Sequence, residues 1–213
     1  MRRFFFAALL LALALPASAQ QDQKPNSLLL VARPDLPDPN FARTVVLVTQ
    51  TEDGSTVGVI LNRPTPLRLS EFLSREYPTE NYREPIYLGG PVMLGAIIAL
   101  LKSESPPRAA AFHVLKDIYL TMHADNIRAL LVDPKARYRL YAGFSGWAPR
   151  QLESEFMRDG WFVLPADEAT LFRASTDGLW EELVEKALRR GPRTERETRG
   201  EIGPMAAGNE ALQ

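Results

Sequence analysis

Most of the chain alternates short apolar, β-branched runs with turn chemistry, and apolar positions take helical spacing in only a few places. Leu28 to Ala32 reads as a buried strand ended by Arg33-Pro34, and Pro34, Pro37 and Pro39, which lack an amide donor, cannot extend a ladder. Thr44 to Thr49 and Val57 to Leu61 flank Glu52-Asp53-Gly54-Ser55, so the two runs predict a hairpin. Ile86 to Leu88 runs into Gly89-Gly90-Pro91, and Ala96 to Leu101, Phe112 to Leu115, Ile118 to Thr121 and Trp161 to Leu164 are further strands. Tyr138 to Phe144 alternates Tyr138, Leu140, Ala142 and Phe144 against Arg139, Tyr141 and Gly143, which predicts a half-buried strand.

Helical spacing occurs at Leu69, Phe72 and Leu73, with Ser70 as the expected N-cap, and over Asp125 to Val132, where His123 is a candidate cap. A third helix is expected to follow Pro149, with Leu152, Phe156 and Met157 as its stripe and Gly160 as its end. Leu179, Trp180, Leu183, Val184, Ala187 and Leu188 keep one face over three turns before Gly191-Pro192, with Glu182 and Lys186 as an i,i+4 pair. Strands with three or four interspersed helices and no internal repeat predict one α+β domain.

The two ends differ from this pattern. Arg2-Arg3, the apolar run Phe4 to Leu15, Pro16 and Ala17-Ser18-Ala19 have the order of a secretory signal peptide, expected to be cleaved between Ala19 and Gln20. A buried N-terminal helix is the competing account of that run. It is shorter than the roughly 20 apolar residues a bilayer span needs, so no stable membrane span is expected after cleavage. The organisation expected is therefore a signal peptide over 1–19, a flexible lead-in over 20–26, a domain over 27–188 and a disordered tail over 189–213, where Glu195, Glu197 and Glu201 interleave with the arginines. The mature chain would be periplasmic or secreted.

Charge and composition then limit the chemistry. Removing Arg2 and Arg3 takes Lys+Arg from 25 to 23 against 26 acidic residues, a formal charge near −3. That is not the balance of a polyanion binder. The chain has no cysteine, which excludes disulfides, thiolate nucleophiles, cysteine-ligated metals and a lipid anchor on an N-terminal cysteine. An exported domain of this kind must be stabilised by packing alone. His113 and His123 have no metal-ligand spacing and are read as structural, and Glu153 and Glu155, two positions apart on a helix, are read as solvated charges. The nearest approach to a nucleophile elbow, Gly143-Phe144-Ser145-Gly146-Trp147, has Trp in place of its last glycine. No catalytic, cofactor-binding or metal-ligating residue is assigned, and a non-enzymatic protein is expected.

Two features could serve binding. Gly89-Gly90-Pro91 fits either a tight strand exit or backbone amides that approach an anion. Arg63, held extended by Pro64, points into a pocket or acts as an ordinary ion-pair donor. Asn62, Arg63, Gly89, Gly90 and Trp147 form the candidate binding patch, for a protein or small-molecule partner.

Five segments together resemble the AlgH/YqgE family: Leu29 to Leu36 with Asp38 to Val46; Asp53-Gly54 with Gly58 to Thr65; Tyr87 to Val92; Ala142 to Trp147 with Gln151-Leu152-Glu153; and Gly160-Trp161. The resemblance spans about residue 28 to 181, in the family's order and spacing. It implies a sheet that bends and splits into a pseudo-barrel with helices packed around it, and it brings no biochemical activity. Leu101-Lys102 stands where the family commonly has a histidine, and Gly146-Trp147-Ala148-Pro149-Arg150-Gln151-Leu152 lacks two of the family's glycines. The family carries the label of transcriptional regulator, so a cytoplasmic regulator is the alternative if the leader is not cleaved. The residues show no helix-turn-helix and no basic groove, and DNA is not expected as a partner.

Overall fold

The computed structural model describes residues 27–190. The stretches expected to be signal peptide and lead-in, residues 1–26, and the expected tail from residue 191 onward lie outside the described residues, whereas Arg189, expected in that tail, is helical. In chain order the elements are β1 (Leu28–Ala32), β2 (Val45–Gln50), β3 (Thr56–Ile60), β4 (Tyr87–Leu88), β5 (Val92–Lys102), β6 (Phe112–Leu115), β7 (Ile118–Thr121), α1 (Ala124–Val132), β8 (Arg137–Trp147), α2 (Gln151–Phe156), β9 (Trp161–Pro165), α3 (Glu168–Leu171) and α4 (Leu179–Arg189). Two short 3-10 turns, Leu69–Glu71 and Thr79–Asn81, precede β4.

The strands pair in the order β6-β7-β5-β8-β3-β2-β1-β9, antiparallel throughout, and β4 adds to β8 in parallel. The path is open: β6 and β9 do not meet. Strand β8 joins the two halves, with Arg137 to Ala142 paired to β5 and Ser145 to Trp147 paired to β3. Gly143 lies between these stretches at φ +67, and a Cβ there would approach Gly90 O to 2.7 Å. Only glycine lets β8 turn at that point while β4's exit packs against it.

Burial follows this bend. Leu29, Val31, Leu47, Val59, Ile98, Leu100 and Tyr141 form one cluster that runs across both halves and is covered by α4 through Leu179, Trp180, Leu183, Val184 and Ala187. The opposite face splits in two. Leu30, Val46, Val48 and Ile60 pack with Trp147, Trp161, Phe41 and Leu152 of α2, while Ile97, Ala99, Leu140 and Ala142 pack with Ile127 and Leu131 of α1. Consecutive residues of β1, β2 and β3 are apolar because both of their faces are covered. The α+β class and the bent, split sheet stand, with four helices among the described residues.

Several local expectations are corrected. Strand β8 is buried on both faces rather than one, and Arg139, expected on the wet face, is only 4% exposed. Its guanidinium donates to Leu171 O at 3.2 Å and Arg173 O at 2.7 Å and lies over the Tyr87 ring, so it ties the turn after α3 to the sheet. The first 3-10 turn is preceded by Arg68, whose amide bonds Glu71, and Ser70 lies inside it. Helix α2 starts at Gln151 after Arg150 in left-handed geometry, and Met157 is 87% exposed because the helix ends before it. Glu182 pairs with Arg173 in the segment before α4 rather than with Lys186. Helix α3 had no apolar period to mark it, but Asp167 caps it by accepting from Thr170 N, a signal present in the sequence. The expected His123 cap of α1 is present, accepting from Asp125 N at 3.3 Å.

Candidate functional site

Between β1 and β2 the chain makes a loop, residues 33–44, whose prolines keep it out of the sheet. Asp38 organises its second half: Oδ1 accepts from Asn40 N, and the backbone oxygen accepts from Phe41 N and Ala42 N. Arg63 holds it from below. Its guanidinium donates to Asn40 O at 2.6 Å and Ala42 O at 3.1 Å, with Pro39 O at 3.4 Å. Burial lowers the Arg63 pKa from its ordinary value, and Asp38 opposes that shift. Asn62 works beside it, accepting from Val45 N and donating to Arg43 O, so that it continues the β2 ladder where no strand is available.

This clamp sets Phe41 against the sheet. The Phe41 ring stacks on Trp147 with centroids 5.5 Å apart and meets Trp161 edge-on at the same separation. Beneath them Glu155 of α2 accepts from both indoles: Trp147 Nε1 lies 3.2 Å from each carboxylate oxygen and Trp161 Nε1 3.0 Å from Oε2. Glu155, read from spacing as a solvated charge, is thus the acceptor that allows two tryptophans to be buried. The loop, α2 and the start of β9 enclose a cavity of about 320 Å³ walled by Asp35, Asp38, Phe41, Glu155, Asp159 and Trp161.

The candidate patch therefore divides. Asn62, Arg63 and Trp147 meet through the 33–44 loop, yet they support the cavity rather than line it; Trp147 is 3% exposed. Gly89 and Gly90 lie at the β4 exit, apart from the cavity. Gly89 N donates to Ala142 O, and Gly89 O accepts from Ile60 N and Ser145 Oγ. A Cβ on Gly89 would lie 2.2 Å from Gly143 O, so the geometry is that of a tight strand exit pressed on β8. Sequence reasoning missed Asp35, Asp38, Phe41, Glu155, Asp159 and Trp161 as a group because they lie on three separate segments. The available signal was the Asp-Pro-Asn-Phe turn together with the Gly160-Trp161 pair.

The histidines stand apart from this site. His113 stacks on Tyr119 with centroids 5.0 Å apart, and His123 caps α1. Among the described residues no three His, Asp or Glu side chains are grouped to hold a metal ion, and no helix is long and apolar enough to cross a membrane.

A family profile described as AlgH-like, DUF179, matches residues 29–189. A UPF0301 protein of Thermobifida fusca is 35% identical over 167 residues, covering 74% of this chain and 84% of the relative. One from Myxococcus xanthus is 32% identical over 156 residues, covering 72% and 85%. The solution structure of the AlgH protein from Pseudomonas aeruginosa superposes with a TM-score of 0.63 at 27% identity, over 81% of this chain and 92% of that one. A crystal structure from Corynebacterium diphtheriae, at 22% identity and a TM-score of 0.61, shares the fold.

Proposed function

The chain belongs to the AlgH-like family, a family of unknown function, and on that footing we propose that it is an exported, non-enzymatic domain that binds a partner or small ligand at the cavity under the 33–44 loop. The observation that carries this reading is the cavity's construction. Arg63 spends its guanidinium on two to three loop carbonyls, and Glu155 fixes two indoles, so the walls are held in place before any ligand arrives. Where the resemblance places a histidine and two glycines, this chain has a strand end at Leu101-Lys102 and the turn Ala148 to Arg150 that leads into α2. Ser145, the one hydroxyl in the elbow-like segment, is buried and donates to Gly89 O.

Export rests on the N-terminal pattern of Arg2-Arg3, the apolar run and Ala17-Ser18-Ala19. Sequencing the mature N-terminus from fractionated cells tests it: Gln20 in the periplasmic fraction is expected, and an intact Met1 in the cytoplasm would return the regulator reading. In that second case duplex binding that weakens steeply with salt is the further requirement.

For the site, a small-molecule screen read on the Trp147 and Trp161 indole signals is expected to give saturable binders. Arg63→Ala should weaken them while the protein stays folded. A screen with no compound acting there, or binders indifferent to Arg63→Ala, would remove the site.

A further inference from the structure

We infer that the cavity under the 33–44 loop is a site for a small organic cation, with an alkylammonium head seated between the carboxylates and the aromatic wall. The inference rests on the binding reading above and names its ligand class. Its starting point is Glu155. Both of its hydrogen-bond partners are neutral indole N–H groups, and it forms no ion pair among the described residues. A carboxylate fixed in direction by two buried tryptophans, with its charge unmatched by a cation, is an oriented anion at the base of a cavity.

The rim adds to that charge. Asp35, Asp38 and Asp159 line the same cavity, against a single base, Arg158. Asp38 uses one oxygen on Asn40 N, and neither Asp35 nor Asp159 forms an ion pair among the described residues. Asp159 is also held at φ +54, a left-handed conformation that places it at the turn from α2 into β9. Asp35 and Asp159 thus carry charge that no cation among the described residues matches, whereas Asp38 also faces Arg63, and a bound cation would supply the missing partner.

The remaining wall selects the kind of cation. Phe41 and Trp161 line the cavity, and aromatic rings attract weakly hydrated ammonium groups through their quadrupoles. A divalent metal is a poorer fit, because no three carboxylates converge on one point among the described residues. A cavity of about 320 Å³ suits a compound of a few heavy atoms rather than a chain segment.

The three tryptophans make the test internal to the intact protein. Trp161 lines the site and Trp147 lies behind it, stacked on Phe41 and bonded to Glu155, while Trp180 donates to Ala32 O on the opposite face of the sheet. Choline and putrescine are titrated into the isotope-labelled full chain against 3,3-dimethylbutanol, the uncharged isostere of choline. The two cations are expected to shift the Trp147 and Trp161 indole signals saturably and leave Trp180 in place, and the isostere to shift none of them.

Glu155→Gln should raise the dissociation constant about tenfold. The exposed double substitution Asp35→Asn with Asp159→Asn, which leaves the buried indoles untouched, should raise it about three- to tenfold. Equal response to 3,3-dimethylbutanol, no saturable response to either cation, or an unchanged constant in the double variant would overturn the assignment. If neutral or anionic compounds from the screen bind there and the cations do not, the binding site stands and the cation assignment falls. If nothing binds, both fall.

Discussion

A single side chain can change meaning entirely once its surroundings are known, and Glu155 does so here. Two positions from Glu153 on a short helix, it has the look of a surface charge; in the fold it accepts from two buried indoles. Glu155→Ala leaves both N–H groups without a partner, and urea unfolding should show a loss of about 2–4 kcal/mol. Glu155→Gln, which keeps one acceptor oxygen, should lose about half as much. Arg139 carries the same lesson. The alternation of Tyr138 to Phe144 placed it on a wet face, but that inference assumed one covered side, and α3 and α4 cover the other. Its charge is retained inside because two carbonyls, the Tyr87 ring and the Glu84 carboxylate 3.7 Å away receive it.

Among the elements, β8 has the narrowest tolerance, because it turns between two halves of the sheet at Gly143. Gly143→Ala must adopt φ +67 and also drive a Cβ into the Gly90 and Val92 carbonyls, so the loss should exceed about 3 kcal/mol. Gly178→Ala has nearly the same φ, +68, with open space around it. It should lose only about 1 kcal/mol. Comparing the two by thermal unfolding separates close approach from conformation alone.

Helix α3 offers a pH test. Glu168 bonds Lys102 Nζ at 2.8 Å and Arg137 Nη1 at 2.6 Å, and these hold its pKa below the ordinary 4.5, with the Lys102 hydrogen bond the largest cause. A lowered carboxylate pKa adds stability above the unfolded value, which is lost as pH falls from about 4.5 through the folded value. Glu168→Gln should therefore flatten the acid limb of a stability profile below pH 4.5 and leave the limb above it parallel.

At the scale of the whole molecule, stability without a disulfide depends on one cluster that runs through both halves of the sheet under α4. Leu179, Trp180, Leu183, Val184 and Ala187 cover it, and Trp180 Nε1 reaches Ala32 O at 2.7 Å. A chain ended before Leu179 should bind a hydrophobic dye and lose dispersion in its NMR spectrum while keeping strand content. The sequence by itself determined the strands, the hairpin at Asp53-Gly54, the family and the α4 face except for Leu188, which is exposed, because those rest on local period, turn chemistry and residue order. It left the cavity illegible: Asp35, Phe41, Glu155 and Trp161 become neighbours only when β9 pairs with β1 and α2 folds beneath the 33–44 loop. Which faces are dry, and which carboxylates lack a cation, were decided by the tertiary structure, since burial and charge pairing depend on contacts between segments far apart in the chain.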